Sequence, residues 1–297
     1  MTGALRVLAR HGRTFRLAGR LLPRAMLSSA AELYAFCRAV DDMADEGTGT
    51  DLDQNAARAG LLRLRRAVLA RDGTHPLAAQ LFSLQAGVST AAAIALIDTV
   101  LSDLGPVRLA DEAALLRYAY GVAGTVGLQM CAVLGVDDPC AAPHAIDLGV
   151  AMQLTNIARD VAEDAAQDRL YLPAAWLPPG LQPAEVMDAP GPVFAAVQQV
   201  LARADRRYRS AERGFHHLPS RARPAIRAAA RLYEEIGLRL LRQGPGYLHA
   251  GRCVVPLPRK LVLLAGCLGA GVLGRVPAGP HDPMLHLALR GLPGVRA

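Results

Sequence analysis

Aromatic rings, lysine, pairable cysteines and long apolar runs are all scarce in this 297-residue chain. Aromatics make up 4% of it and tryptophan occurs once, so ring packing cannot dominate the core. Ala, Leu, Arg and Val dominate instead, and Ala, Leu and Arg lose little on entering a helix. Lys260 is the single lysine among 33 basic residues. That arginine bias follows as readily from a GC-rich coding sequence as from function. The five cysteines (Cys37, Cys131, Cys140, Cys253, Cys267) are odd in number, widely spaced and free of any C-x-x-C pair. They read as reduced thiols of a cytosolic protein, not as a disulfide frame or a zinc site. The N-terminus meets Arg10, His11 and Arg13 with no apolar stretch to serve as a signal peptide. The most apolar run, Leu261 to Leu273, falls short of the ~20 residues a membrane span needs. It predicts a buried C-terminal helix in preference to a membrane-surface contact.

Apolar side chains are abundant, at 52%, and the net charge is +7 with a pI near 9.5. The charge suits partners bearing phosphate, or an anionic membrane surface. No helix-turn-helix, zinc-finger or RNP-type pattern accompanies it, which sets nucleic acid aside. Helical patterns run over Arg24–Glu46, Asp53–Arg71, His75–Ala86, Thr90–Asp103, Asp111–Leu134, Pro143–Asp164, Val193–Phe215, Ser220–Gln243 and Pro258–Leu273. Gly or Pro breaks separate them, such as Asp72-Gly73, Gly105-Pro106 and Gly244-Pro245. Nothing reads as a strand, and no β-α-β alternation or internal repeat is present. The expected fold is one all-α domain over residues 1–276. A Pro/Gly-rich tail, 277–297, is expected to be only partly ordered.

Two acidic helices stand out. In YAFCRAVDDMADE (Tyr34 to Glu46), Asp41 and Asp45 are four apart, so their carboxylates share a helix face. Like charges at that spacing repel unless water or a cation screens them. Alone, the pattern equally suits a helix end whose solvated acids run into the Gly47–Gly49 loop. The second stretch, GVAMQLTNIARDVAED (Gly149 to Asp164), is apolar nearly all round, as in a helix buried on most sides. Gln153, Asn156, Asp160 and Asp164 form a polar stripe along it, with Arg159 beside them. A structural polar network would explain Gln153 and Asn156 but accounts poorly for two acids facing one way. Oxygen-only ligands suit a hard cation such as Mg²⁺, which is usually held by one or two carboxylates plus substrate phosphates. Facing acid clusters could hold a diphosphate through Mg²⁺, with Arg38 and Arg159 as forked donors. A ring face such as Tyr34 or Phe36 could steady a carbocation, although core packing is the commoner use of an aromatic.

These blocks resemble the phytoene/squalene synthase family. YAFCRAVDDMADE is similar to its first aspartate-rich motif and QLTNIARDVAEDAAQDRLYLP (Gln153 to Pro173) to its second. YGVAGTVG (Tyr120 to Gly127), HGRTF (His11 to Phe15), RLLP, RLYEEIG and GRCVVPLPRKL resemble further family segments, in order, over about Arg10 to Leu264. The resemblance implies a single all-α isoprenoid synthase helical bundle with a central cavity. It implies Asp41, Asp45, Asn156 and Asp160 as ligands of Mg²⁺, or of Mn²⁺ in its place, with Asp42 and Asp164 joining the catalytic acids. His11, Arg13, Thr14, Tyr34, Arg38, Gln153, Arg159 and Tyr233 would contact diphosphate or prenyl chains, and Tyr118 is a weaker candidate. The implied reaction ionises one prenyl diphosphate and captures the allylic cation with a second. The resulting cyclopropylcarbinyl diphosphate then ionises and rearranges.

Three departures from the family pattern are Gly12 for Ser, Asp168 for Gly and Ala162 for Gly. None removes a metal ligand. The wording is most similar to bacterial phytoene synthases, which join two geranylgeranyl diphosphates without NADPH. The alternative substrate is farnesyl diphosphate, giving a thirty-carbon product. A non-catalytic assembly factor is the remote alternative, disfavoured because every acid of both boxes is present. The expected location is cytoplasmic, with peripheral contact at the inner face of the membrane compatible with the charge.

Overall fold

The computed structural model describes residues 3–45, 51–84, 88–273 and 278–295, without the side chains of His11, Arg13, Asp45, Asp51 and 269–273. Among the described residues the chain is a bundle of twelve α-helices. In order they are α1 (Gly3–His11), α2 (Arg13–Gly19), α3 (Arg24–Asp45), α4 (Asp51–Ala70), α5 (Pro76–Ser83) and α6 (Thr90–Ser102). There follow α7 (Glu112–Ala119), α8 (Thr125–Val133), α9 (Ala141–Ala165), α10 (Pro190–Gly214), α11 (Arg223–Gln243) and α12 (Leu257–Leu273). Helix starts follow local chemistry. Ser89 caps α6 by accepting from the Ala92 N–H, and Asp111 caps α7 by accepting from the Ala114 N–H. Proline opens α5 and α10, where its missing N–H costs nothing.

The helix α9 is the axis. It packs against α8, α10 and α11, and its Val150, Ala151, Leu154 and Ala158 are fully buried. One core surrounds it, and a second lies among α3, α4, α5 and α6. Close approach of α8 to α9 depends on small residues: a Cβ at Gly127 would sit 2.1 Å from the Ala145 carbonyl oxygen, and one at Gly149 2.1 Å from that of Ala123. The YGVAG part of the YGVAGTVG segment is a π-helical turn, Tyr120–Gly124, joining α7 to α8. Its spacing re-aims the chain between two α-helices.

Four features differ from the sequence reading. Two short helices, α1 and α2, precede the first expected one; at nine and seven residues they are too brief for a clear period. Two-residue strands β1 (Val107–Arg108) and β2 (Arg169–Leu170) pair in parallel, again below the length that shows alternation. The tail is docked over residues 278–295: a 3₁₀ stretch, Pro283–Leu289, buries His286 and Leu289, and Tyr120 donates from its hydroxyl to the Pro293 carbonyl at 2.5 Å. Finally, α12 is not a buried helix. Cys267 is covered, but Leu257, Leu261 and Val262 are 62%, 53% and 61% exposed.

Candidate active site

A cavity of about 310 Å³ runs through the bundle, walled by α1, α2, α3, the π turn, α8, α9, α10 and α11. On α9 the lining residues are Ala141, His144, Ala145, Leu148, Gly149, Met152, Gln153 and Asn156, a single face about 22 Å long at 1.5 Å per residue. The walls are almost wholly apolar, including Phe15, Leu33, Val126, Met130, Phe215 and Ile226. The polar lining includes Asp41 of α3 and Gln153 and Asn156 of α9, with Tyr34 and Tyr233. Two stretches more than a hundred residues apart thus contribute acid and amide groups to the wall of one apolar chamber.

Asn156 donates to the Gln153 side-chain oxygen at 3.3 Å, while its own Oδ1 is buried without a hydrogen-bond partner. An unpaired buried acceptor is costly unless a ligand completes it. One turn on, Asp160 is held by Arg159, whose Nε donates at 2.7 Å, and by Arg252 at 3.2 Å. Arg252 also reaches Glu163 at 3.4 Å. Asp164 follows, and burial, reinforced by the neighbouring Asp160 charge, pushes its carboxyl up to about 7. On α3, Arg38 pairs with Asp42 at 2.5 Å. The rings tie the two acid groups together. Phe15 lies 6.1 Å from Tyr34 and 5.2 Å from Tyr233 between centroids. Burial raises the Tyr34 hydroxyl, with Asp41 and Asp42 adding to the rise. Burial likewise lifts Tyr233 to about 12, and Tyr34 and Asp160 add to it.

Asp41, Tyr34, Gln153, Asn156 and Tyr233 therefore line the cavity, and Asp160, Asp164 and Arg159 sit on the next turns of α9. The side chains of His11, Arg13 and Asp45 lie outside the described residues. Thr14 is half-buried on α2 and does not line the cavity. Phe36 belongs to the second core, fully buried, and does not line this cavity. Tyr118 is also off the wall. It stacks on Tyr171 at 4.6 Å and donates to Asp103 at 2.8 Å. That group reaches the acids only at one remove, through Tyr171, whose hydroxyl feels Asp164. Arg252 was missed because it lies between two helical patterns, where nothing local marks a guanidinium that crosses to α9. Asp103 was missed because an aspartate ending a helix is ordinary.

The departures acquire physical accounts. Asp168 has φ +57°, the left-handed region that glycine favours and aspartate tolerates. Its carboxylate is turned to Arg108 at 2.5 Å. Gly12 sits so close to Tyr34 that a Cβ would lie 3.1 Å from the ring carbon bearing the hydroxyl.

A separate trio, Asp147, His281 and His286, has its ligand atoms within 4.8 Å of one another. Arg207 already stands 3.8 Å from the same carboxylate and donates to the Leu285 carbonyl at 2.8 Å. A resident guanidinium favours an ion-paired clasp on the tail over a metal there.

A sequence model described as squalene/phytoene synthase matches residues 8–259. The phytoene synthase of Thermus thermophilus is 38% identical, over 84% of this chain and 85% of that protein. That of Pseudescherichia vulneris is 35% identical, over 81% of this chain and 82% of that protein. A solved dehydrosqualene synthase superposes with a TM-score of 0.72 at 26% identity, covering 90% of this chain and 94% of that one. Squalene synthase HpnC from Alicyclobacillus acidocaldarius shares the fold, with a TM-score of 0.69 at 24% identity over 82% of this chain and 94% of its own. With the acid-rimmed cavity and these likenesses together, the chain belongs to the squalene/phytoene synthase family.

Proposed function

We propose that this chain is a metal-dependent prenyltransferase that joins two geranylgeranyl diphosphates head to head to give phytoene, a step of carotenoid biosynthesis. The observation that carries the reading is the meeting of Asp41 and Asn156 on the wall of one apolar cavity, with Asp160 and Asp164 on the turns beyond. The unpartnered Asn156 oxygen and the elevated Asp164 carboxyl fit a hard divalent cation among oxygen donors. Asp41, Asp45, Asn156 and Asp160 would hold Mg²⁺, or Mn²⁺ in its place, with Asp42 and Asp164 beside them. When bound, the metal offsets charge on the departing diphosphate. Arg159 and Arg252, which neutralise Asp160 in the free protein, would turn their forked donors to diphosphate oxygens, as would Arg38. His11, Arg13 and Gln153 would complete the diphosphate contacts.

The apolar walls exclude water while one C–O bond breaks and its electron pair leaves with diphosphate. The double bond of the second substrate captures the allylic cation, and a proton is lost to give the cyclopropylcarbinyl diphosphate. The same chamber then shelters the second ionisation and rearrangement. Tyr34, Phe15 and Tyr233 supply ring faces beside the reacting end.

Farnesyl diphosphate is the second reading, favoured by the 26% identical dehydrosqualene synthase. The phytoene synthases at 35–38% identity favour the first. Incubating the protein with Mg²⁺ and either diphosphate, then identifying the hydrocarbon, decides between them. The expected product is phytoene from geranylgeranyl diphosphate, abolished by EDTA and restored by Mg²⁺. Turnover only of farnesyl diphosphate would select the alternative, and turnover insensitive to chelation would sink the metal role. Work in the cytoplasm against a membrane surface belongs to the same reading, because the product is a hydrocarbon. No described helix is long and apolar enough to cross a membrane.

A further inference from the structure

The cavity has a far end as well as an acidic one. On α9, His144 lines it twelve residues before Asn156, about 18 Å back along the helix. Only Ala141 of α9 lies beyond it. On α11, Ala225 and Ile226 line the cavity two turns before Tyr233, so both helices run the same wall away from the acids. Gly214 of α10 packs onto His144: a Cβ there would lie 2.3 Å from that of the histidine. Ala211, Phe215 and Leu218, near Gly214 in the chain, line the cavity too.

His144 is buried and held on three sides. Its Nδ1 meets the Ser210 carbonyl oxygen at 2.7 Å, and a carbonyl only accepts, so that nitrogen carries the ring proton. The ring stacks on His217 at 6.0 Å, and His281 of the tail meets it edge-on at 5.4 Å between centroids. Burial pushes the imidazole below its ordinary value, which keeps it neutral beside a hydrocarbon. The tail that supplies His281 is firmly seated. His281 and His286 hold Asp147 at 2.8 and 3.2 Å. Arg207 donates to the Leu285 carbonyl at 2.8 Å, Arg117 to that of Ala288 at 2.9 Å and Tyr120 to that of Pro293 at 2.5 Å. It therefore grips α7, α9, α10 and the π turn, and all but α7 supply cavity wall.

An isoprene unit adds four C–C bonds of ~1.5 Å in zigzag, or roughly 5 Å of length. Three units span roughly 15 Å and four roughly 20 Å. Measured from Asn156, a farnesyl chain stops short of His144, a geranylgeranyl chain ends against it, and a fifth unit meets the ring.

We propose that His144, braced by His281 of the docked tail, is the stop that sets prenyl chain length in this protein. The assignment rests on the prenyl diphosphate reading and deepens it. A tail far from the acids serves the reaction by fixing how deep a chain can go.

Calorimetric titration with the unreactive S-thiolo analogues of farnesyl, geranylgeranyl and geranylfarnesyl diphosphate, in Mg²⁺, reads the stop without turnover. The full chain is expected to bind the geranylgeranyl analogue about tenfold or more tighter than the geranylfarnesyl one. His144→Ala should narrow that ratio about tenfold by admitting the longer chain, and His144→Phe, which restores a ring, should return it. His281→Ala should narrow it in the same direction. An unmoved ratio, or equal weakening of all three analogues, overturns the proposal. A ratio moved by His144→Ala alone overturns the tail's part in it, and a parent that rejects geranylgeranyl as well places the stop nearer the acids. Absence of binding by all three analogues sinks the prenyl diphosphate reading itself, whereas binding with a fixed ratio sinks the stop alone.

Discussion

At the scale of single residues, the site is a set of oxygens whose pairing is incomplete. Asn156 has one buried oxygen with no donor, and Asp160 borrows two guanidinium groups. Replacing Asp41 or Asp160 with alanine should lower kcat by about 10²-fold or more, because a metal's share of the barrier is several kcal/mol. Circular dichroism should show the helices intact, as Asp41 is only half-buried and its loss opens no core. Near-normal turnover in either variant would remove the metal role. These residues were legible because chemistry repeats with the helix period: Asp41, then Gln153, Asn156, Asp160 and Asp164 at three or four apart. Arg252 was not, since its partners lie some ninety residues away and a loop has no period to betray where a side chain points. Tyr118 shows how packing sets a side chain's direction. Its place one turn before a family segment suggested the site, but a tyrosine in a helix faces whichever neighbour packs best, and here that is Tyr171 and Asp103.

Elements were easiest to read where they were long. The bounds of α3, α6 and α9 follow the expected stretches within two residues, because each combines a sustained apolar period with a terminal break. Short elements, α1, α2, β1 and β2, carry too few turns or alternations to register. The YGVAGTVG segment was recognised as a pattern, yet its cause is one of packing. Gly127 on α8 and Gly149 on α9 let two backbones approach, and that approach sets the cavity wall. Gly149→Ala should therefore cost about 1–3 kcal/mol, the range for an overpacked core, since the carbonyl at 2.1 Å belongs to backbone and cannot swing aside. Thermal unfolding should show a Tm several degrees below the parent. Gly191→Ala is the control: it has open space within 4 Å on the first turn of α10 and should leave Tm unchanged or slightly raised. An unaltered Tm for Gly149→Ala would mean that the π turn and α9 have room to spare.

For the molecule as a whole, the open question is how the tail is held. Composition alone suggested loose order, because Pro and Gly make up a third of residues 277–297 and no helical period runs through them. What composition cannot display is that the tail answers a need created elsewhere. Asp147 of α9 is fully buried, and burial alone would raise its carboxyl. Hydrogen bonds from His281 at 2.8 Å and His286 at 3.2 Å outweigh that and hold it at about 2. A folded-state value below the unfolded one means that the stabilisation is present above about pH 4 and is lost as the pH falls towards 2. Deleting residues 278–297 strips both imidazoles from the carboxylate and leaves Arg207, at 3.8 Å, without the Leu285 carbonyl. The expected loss is about 3–5 kcal/mol, the cost of breaking a buried charge pair by removing one side. In an Asp147→Asn background there is no buried carboxylate for the lost imidazoles to strand, so the same deletion should cost at least ~1 kcal/mol less. Urea unfolding of the four proteins at pH 7 measures that coupling. Strictly additive losses would show that the tail is held by apolar contacts such as Leu289, with the buried carboxylate a bystander.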